Sequence, residues 1–244
     1  MNYTYITGDT HGNWDIRKLD RIAMNKKLTR DDVLIIAGDW GVLWGPGRKY
    51  DIQEKMLLEW YGKFKCTILI VDGNHDNHTR FNALPTIIKY GEEVGVIADN
   101  IFHLRRGHIY VINDRKYFIF GGALSIDKAE RILGIDYWTE ELPTRDQMDK
   151  AYDSLDRHDY MVDYVITHTA PRGVLNKMGF TLDWVDAEKY NDPTAMFLES
   201  LSKQITFDKW YFGHMHVDRE ITHDGLYRCL YQGVVNMEDE EGLL

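Results

Sequence analysis

Five short runs of β-branched and aromatic residues each end in a Gly or Thr followed at once by a polar, chemistry-bearing side chain, and this recurrence narrows the folds open to the chain. Residues 3–7, 33–37, 67–71, 109–112, 117–120, 163–167 and 210–212 read as strands, with 227–231 a further candidate. Stretches of helical period lie between several of them. In 14–27, Ile16, Leu19, Ile22 and Ala23 form an apolar stripe, and similar patterns occupy 51–64, 144–158 and 193–204. Alternation of this kind predicts an α/β fold. Side chains just past the ends of several such strands can meet in one crevice although they are far apart in sequence.

The 244 residues, 44% hydrophobic and 28% charged, can bury a sizeable core without disulfides. With no internal repeat and no low-complexity linker, a single domain over 1–244 is expected. Residues 125–142 mix charges, Gly134 and aromatics without period and read as an excursion inserted near a functional rim. Residues 237–244 read as a solvated acidic tail. Lys and Arg total 29 against 39 Asp and Glu, a net charge of -10, which argues against broad binding to nucleic acid or to anionic membranes. No apolar stretch reaches the roughly 18 residues that suggest a membrane span, and the N-terminus lacks a leader pattern. Cys66 and Cys229 stand apart without a CxxC pair, so unpaired thiols in a reducing cytoplasm are expected.

The motifs, in order, are Gly8-Asp9-Thr10-His11-Gly12, Gly38-Asp39, Gly73-Asn74-His75-Asp76, Thr167-His168 and Gly213-His214-Met215-His216. Apart from His75 they supply two carboxylates, one amide and four imidazoles, a mixed oxygen and nitrogen set suited to two divalent metals that share a carboxylate. Asp39 is the natural bridge, since a shared carboxylate offsets repulsion between cations, and Asn74 adds a neutral oxygen. The spacing of Asp9 with His11, and of His214 with His216, lets both members of each pair face one site as the chain leaves its strand. The glycines at 8, 38, 73 and 213 permit the close backbone approach that such a site requires.

This set resembles the signature of the calcineurin-like metallophosphoesterase superfamily, DxH, GD, GNH[DE], H and GHxH, matched in order from Asp9 to His216. The resemblance implies a four-layer αββα sandwich, two mixed β-sheets flanked by helices, with a two-metal site at the strand ends. By carry-over one metal takes Asp9, His11 and His216, the other takes Asn74, His168 and His214, and Asp39 bridges both. His75 matches the histidine that contacts the phosphoryl oxygen or leaving group. The implied activity is hydrolysis of phosphate mono- or diesters by a hydroxide bridging the metals, on a phosphorylated small-molecule or nucleotide-like substrate. Manganese is the expected metal, with iron and zinc suited to the same ligands.

The pattern departs from the protein Ser/Thr phosphatases of the superfamily, whose second motif reads GDxVDRG; here Val42 and Leu43 stand in place of the charged pair. The phosphate-gripping cation is therefore open, with Arg172, Arg105, Arg106 and Arg80 as candidates and surface ion pairs as the plainer reading of each. Trp40 and Trp44 are either core or an aromatic platform for a leaving group. The Gly121-Gly122-Ala123 turn with Ser125 and Asp127 either borders the pocket or is an ordinary strand end. His78, His103, His108, His158 and His223 read as ordinary core or surface positions, His78 being set apart only by its distance of three residues from His75. Two other classes compete with a phosphoesterase: a non-catalytic metal-binding interaction module that keeps the fold, and a binuclear hydrolase of carbon esters or amides.

Overall fold

The computed structural model describes residues 2–45, 48–179 and 191–239. Its first sheet is built on runs that are buried along their whole length: β1 (Thr4–Thr7), β2 (Val33–Ala37) and β3 (Thr67–Val71) lie parallel, with β6 (Ile101–Leu104) parallel to β3. Antiparallel β5 (Glu92–Ala98) and β4 (Thr86–Lys89) extend one side, and β13 (Val235–Asn236) pairs antiparallel with β1 on the other. The unbroken apolar run of β2 follows from burial of both faces. Leu34 and Ile36 pack outward with Leu19, Leu57 and Tyr61, beneath α1 (Asp20–Met24) and α2 (Arg48–Tyr61), while Val33, Ile35 and Ala37 face the second sheet.

The second sheet runs in the order β11 (Arg219–Thr222), β12 (Leu226–Cys229), β10 (Lys209–Phe212), β9 (Tyr164–Thr167), β8 (Arg115–Phe120) and β7 (His108–Ile112). Its central pairs, β12 with β10, β10 with β9 and β9 with β8, are parallel. Ile6, Val71, Leu104, Tyr117, Ile166 and Tyr211 interleave between the sheets. On the outer face Phe118, Phe120 and Trp210 meet Leu155 of α4 (Arg145–Asp156) and Leu198 and Leu201 of α6 (Pro193–Ser202). Both helices begin where the sequence signals it: Thr144 and Gln147 form a reciprocal capping box, and Asp192 caps α6 ahead of Pro193. The architecture is the expected αββα sandwich of two mixed sheets flanked by helices.

Several elements differ from the expectation. The helix expected over 14–27 is a 3-10 turn, Ile16–Leu19, followed by the short α1, because Asp15 and Lys18 are turned toward the end of β1. β4, β5, β6, β11 and β13 were not foreseen. β4 is largely exposed, β5 opens with two glutamates and is half-buried, and β6 is short and interrupted by His103. The expected tail at 237–244 extends past the described residues, which end at 239. Cys66 and Cys229 are buried free thiols. No helix among the described residues is long and apolar enough to cross a membrane.

Candidate metal centre

The motifs converge at one end of the sandwich. Asp9 and His11 follow β1, Asp39 follows β2, Asn74 and His75 follow β3, His168 follows β9, and His214 and His216 follow β10. Four of these residues have left-handed backbone, His11 at φ 44, Asp39 at 51, His214 at 65 and His216 at 50. That conformation is uncommon outside glycine and costs on the order of 1–3 kcal/mol per residue, so surrounding structure must hold it. Glycine makes room in the same place: a Cβ on Gly38 would lie 2.0 Å from Nδ1 of His168, and one on Gly73 would lie 2.1 Å from Oδ1 of Asp39.

Donor atoms of Asp9, His11, Asp39 and His216 all lie within 4.8 Å of one another, as do those of Asp39, His168 and His214. Asp39 divides between the groups. Its Oδ2 faces Nε2 of His11 at 3.4 Å and its Oδ1 faces Nε2 of His168 at 3.2 Å. Oδ2 is buried and has no hydrogen-bond partner, an orphaned acceptor that a cation would satisfy. Oδ1 of Asn74 sits 3.0 Å from Nε2 of His168, bringing the amide oxygen to the second group. The residues present therefore fit two divalent cations.

Outer contacts aim these side chains. His168 Nδ1–H donates to the Ala37 carbonyl at 2.9 Å and His11 Nδ1–H to Asp15 at 2.8 Å, which turns each Nε2 lone pair inward. Asn74 Nδ2 donates to Ser125 Oγ, whose hydroxyl donates to buried Glu141. Lys18 Nζ donates to the carbonyls of Gly8, Asp9 and Tyr231, tying the end of β1 to the segment after β12. Asp76 accepts from the backbone N–H groups of Gly41 and Gly73 at 2.9 and 2.8 Å, so it braces the loop.

Electrostatics follow from two buried carboxylates side by side. Burial, reinforced by Asp39, raises Asp9 to about 7 against the pull of His168. Burial would also raise Asp39, but adjacent His168 and His11 hold it well below the ordinary carboxylate range. In return Asp39 lifts His168 to about 10 and His11 to about 9, in each case against burial. Burial beside His168 depresses His214 to about 3. The carboxylates thus draw positive charge into the cluster, the demand that metal cations meet.

The structure separates the remaining candidates. Arg172 lines a cavity of about 400 Å³ together with Asp39, Asn74, His75 and His214. Arg105 and Arg106 are not brought to it. Arg106 is buried, with Nε donating to Asp72 at 2.7 Å, and Arg105 donates to the Phe81 carbonyl; both border a different cavity with His78 and His103. Arg80 pairs with Glu54 at 2.8 Å. Trp40 is core, packed on Tyr61 at 5.5 Å. Half-buried Trp44 borders a second cavity of about 260 Å³ that shares His75 and His11 with the centre, and Trp14, 84% exposed, stands at its rim. Ser125 and Asp127 do reach the centre's surroundings. His108 pairs with Glu92.

Sequence reasoning missed Arg131. Its Nη1–H donates to Nδ1 of His75 at 2.8 Å. An arginine inside an aperiodic, charged excursion beside a rim was the available signal. Burial, reinforced by Arg131 and opposed by Asp39, holds His75 below the usual histidine range.

Fold and donor set together define a metal-dependent hydrolase. The chain belongs to the calcineurin-like phosphoesterase family, whose family model matches residues 4–218. Among solved structures it is similar to TT1561 of Thermus thermophilus, with 10% identity and a TM-score of 0.52 over 97% of this chain and 95% of that one. It also resembles the phosphopantetheinyl hydrolase of Mycobacterium tuberculosis, with 13% identity and a TM-score of 0.49 over 94% and 89%. A 5'-nucleotidase from Candida albicans shares 15% identity at a TM-score of 0.43, over 95% of this chain and 46% of the nucleotidase. A search of curated protein sequences finds no match.

Proposed function

We propose that the chain is a two-metal phosphoesterase acting on small phosphorylated molecules, with manganese as the working metal. The observation that carries this reading is the division of Asp39, one oxygen toward each donor group. Asp9, His11 and His216 would hold one cation, and Asn74, His168 and His214 the other. When bound, such cations supply Lewis acidity and a water ionised near neutral pH for in-line attack on phosphorus. Water's oxygen bonds to phosphorus as the bond to the leaving oxygen breaks, and the products are free phosphate, or a monoester, and an alcohol.

The chain's own residues position and donate. Because Arg131 donates to Nδ1 of His75, the neutral ring carries its proton on Nε2, which is a hydrogen-bond donor for a phosphoryl or leaving oxygen. His75→Gln is expected to leave metal content intact and to slow turnover by roughly 100-fold. Loss of metal by that variant would make His75 a ligand or a structural residue.

The test of the reading is hydrolysis of a chromogenic phosphate monoester beside its diester, with stripped protein reloaded with manganese. Turnover of either supports it. Two bound metals with no turnover of either would favour a non-catalytic interaction module. Cations at saturating concentration should also stabilise the fold, because they bind the folded state alone. Chelation is expected to lower Tm by on the order of 10 °C, read by differential scanning calorimetry.

A further inference from the structure

The excursion at 125–142 is strapped across the centre at both ends. Ser125 and Glu141 bond to each other, with Ser125 also accepting from Asn74, and buried Trp138 meets Trp44 edge-on at 5.4 Å. Between these anchors the strap delivers one guanidinium to His75. Nη1 of Arg131 donates to the Asp136 carbonyl at 3.0 Å and to Nδ1 of His75 at 2.8 Å, while Nη2 donates to Asp127 at 2.7 Å.

One contact in this arrangement does not close. Nη2 lies 3.4 Å from Nε2 of His75. With Nδ1 already accepting, the neutral ring's proton is on Nε2, so this contact sets two N–H donors side by side with no acceptor between them. An oxygen that accepts from both is the natural occupant, and a phosphoryl oxygen is such a group. The guanidinium side chain is 17% exposed, and the Asp127 carboxylate paired with it is 46% exposed, so water screens the carboxylate more than the guanidinium.

We propose that Arg131 is the substrate-binding cation of this enzyme and that, with Nε2–H of His75, it grips a phosphoryl oxygen and selects phosphate monoesters. The proposal rests on the phosphoesterase reading above and names its substrate class. Half-exposed Asp127 offsets part of the guanidinium charge, and the attraction that remains favours the dianion of a monoester over the monoanion of a diester, since it scales with the charge of the ligand. Arg131 thereby takes the role left open when the arginine of the GDxVDRG pattern is absent.

The test is binding of inorganic phosphate and of dimethyl phosphate to manganese-loaded protein by calorimetry, for the wild type, Arg131→Met and Arg131→Lys, with metal content and Tm recorded. Arg131→Met is expected to weaken inorganic phosphate by roughly 10- to 100-fold and dimethyl phosphate by clearly less, at unchanged metal content. Arg131→Lys should recover part of the loss, since it keeps the charge without the planar fork. If Arg131→Met unfolds, the Lys variant decides by the same comparison. Unchanged phosphate affinity, equal losses for both anions, or a wild type that binds no phosphate overturns the proposal. A wild type that binds phosphate but hydrolyses neither chromogenic ester overturns the phosphoesterase reading instead, and the effect of Arg131 on phosphate affinity still answers for Arg131.

Discussion

Asp39→Asn is expected to empty both metal positions under conditions that fill them in the wild type, and to reduce turnover nearly to the blank. Metal affinity should fall by more than about 100-fold, the upper range for losing a mere orienting partner. The reason lies in where the two oxygens point. Oδ2 faces His11 and is otherwise unpartnered, while Oδ1 faces His168 and accepts the backbone N–H of His75 at 2.8 Å. An amide has one oxygen, so its NH2 must take one of these places and set a donor where a ligand is needed. It also removes the negative charge that offsets two cations. Metal content by plasma mass spectrometry beside turnover checks this; full occupancy with near-normal activity would sink the bridging assignment.

Arg106→Met is expected to cost about 3–5 kcal/mol of stability, because it leaves the Asp72 carboxylate buried without its arginine partner. For a chain of this size that is a fall in Tm of roughly 6–20 °C. Asp72 is 2% exposed, and its other side-chain neighbours are His103 at 3.2 Å and His78 at 3.6 Å. Burial opposes ionisation of Asp72, and Arg106 overcomes it, holding the carboxyl well below its ordinary range. A depressed carboxylate stabilises above its unfolded pKa and loses that contribution as pH falls. The deficit of Arg106→Met should therefore be largest above about pH 5 and narrow in acid, where Asp72 in the variant can take a proton. Adding Asp72→Leu should restore much of the loss at neutral pH, since a well-packed apolar pair can replace a buried ion pair. Thermal unfolding of the single and double variants at two pH values separates these outcomes.

The double role of local sequence explains what was legible beforehand. Strands buried on both faces, such as β2 and β3, announce themselves by composition, and the candidate ligands sit directly after them. Hence the clustering of candidate donors followed from order and spacing once strand ends were located. β4 and β5 were not, because an exposed edge and a half-buried strand lack the apolar run that marks the interior. Arg106 and Arg131 show the limit most clearly. Both are arginines near a motif or a rim, and nothing in their neighbours along the chain says that one is turned inward to Asp72 while the other is laid on His75. That choice is made by contacts between residues 34 and 56 positions apart, which no local pattern encodes.

The motif residues are drawn from both sheets, and this bears on the order in which the molecule is put together. Asp9, His11, Asp39 and Asn74 belong to the sheet whose strands, β13 aside, precede residue 105. His168, His214 and His216 arrive with the other. A polypeptide emerging from the ribosome N-terminus first presents four of the seven candidate donors long before the rest exist, with Asp9 and Asp39 offset by His11 and Lys18 but still without His168. The strained left-handed turns at His214 and His216 can be locked only when the second half docks and Asp9 accepts the His214 N–H. Capture of the first cation by a nascent or truncated chain would then report how far assembly has gone, and a cation held by both halves would slow their separation once assembly is complete.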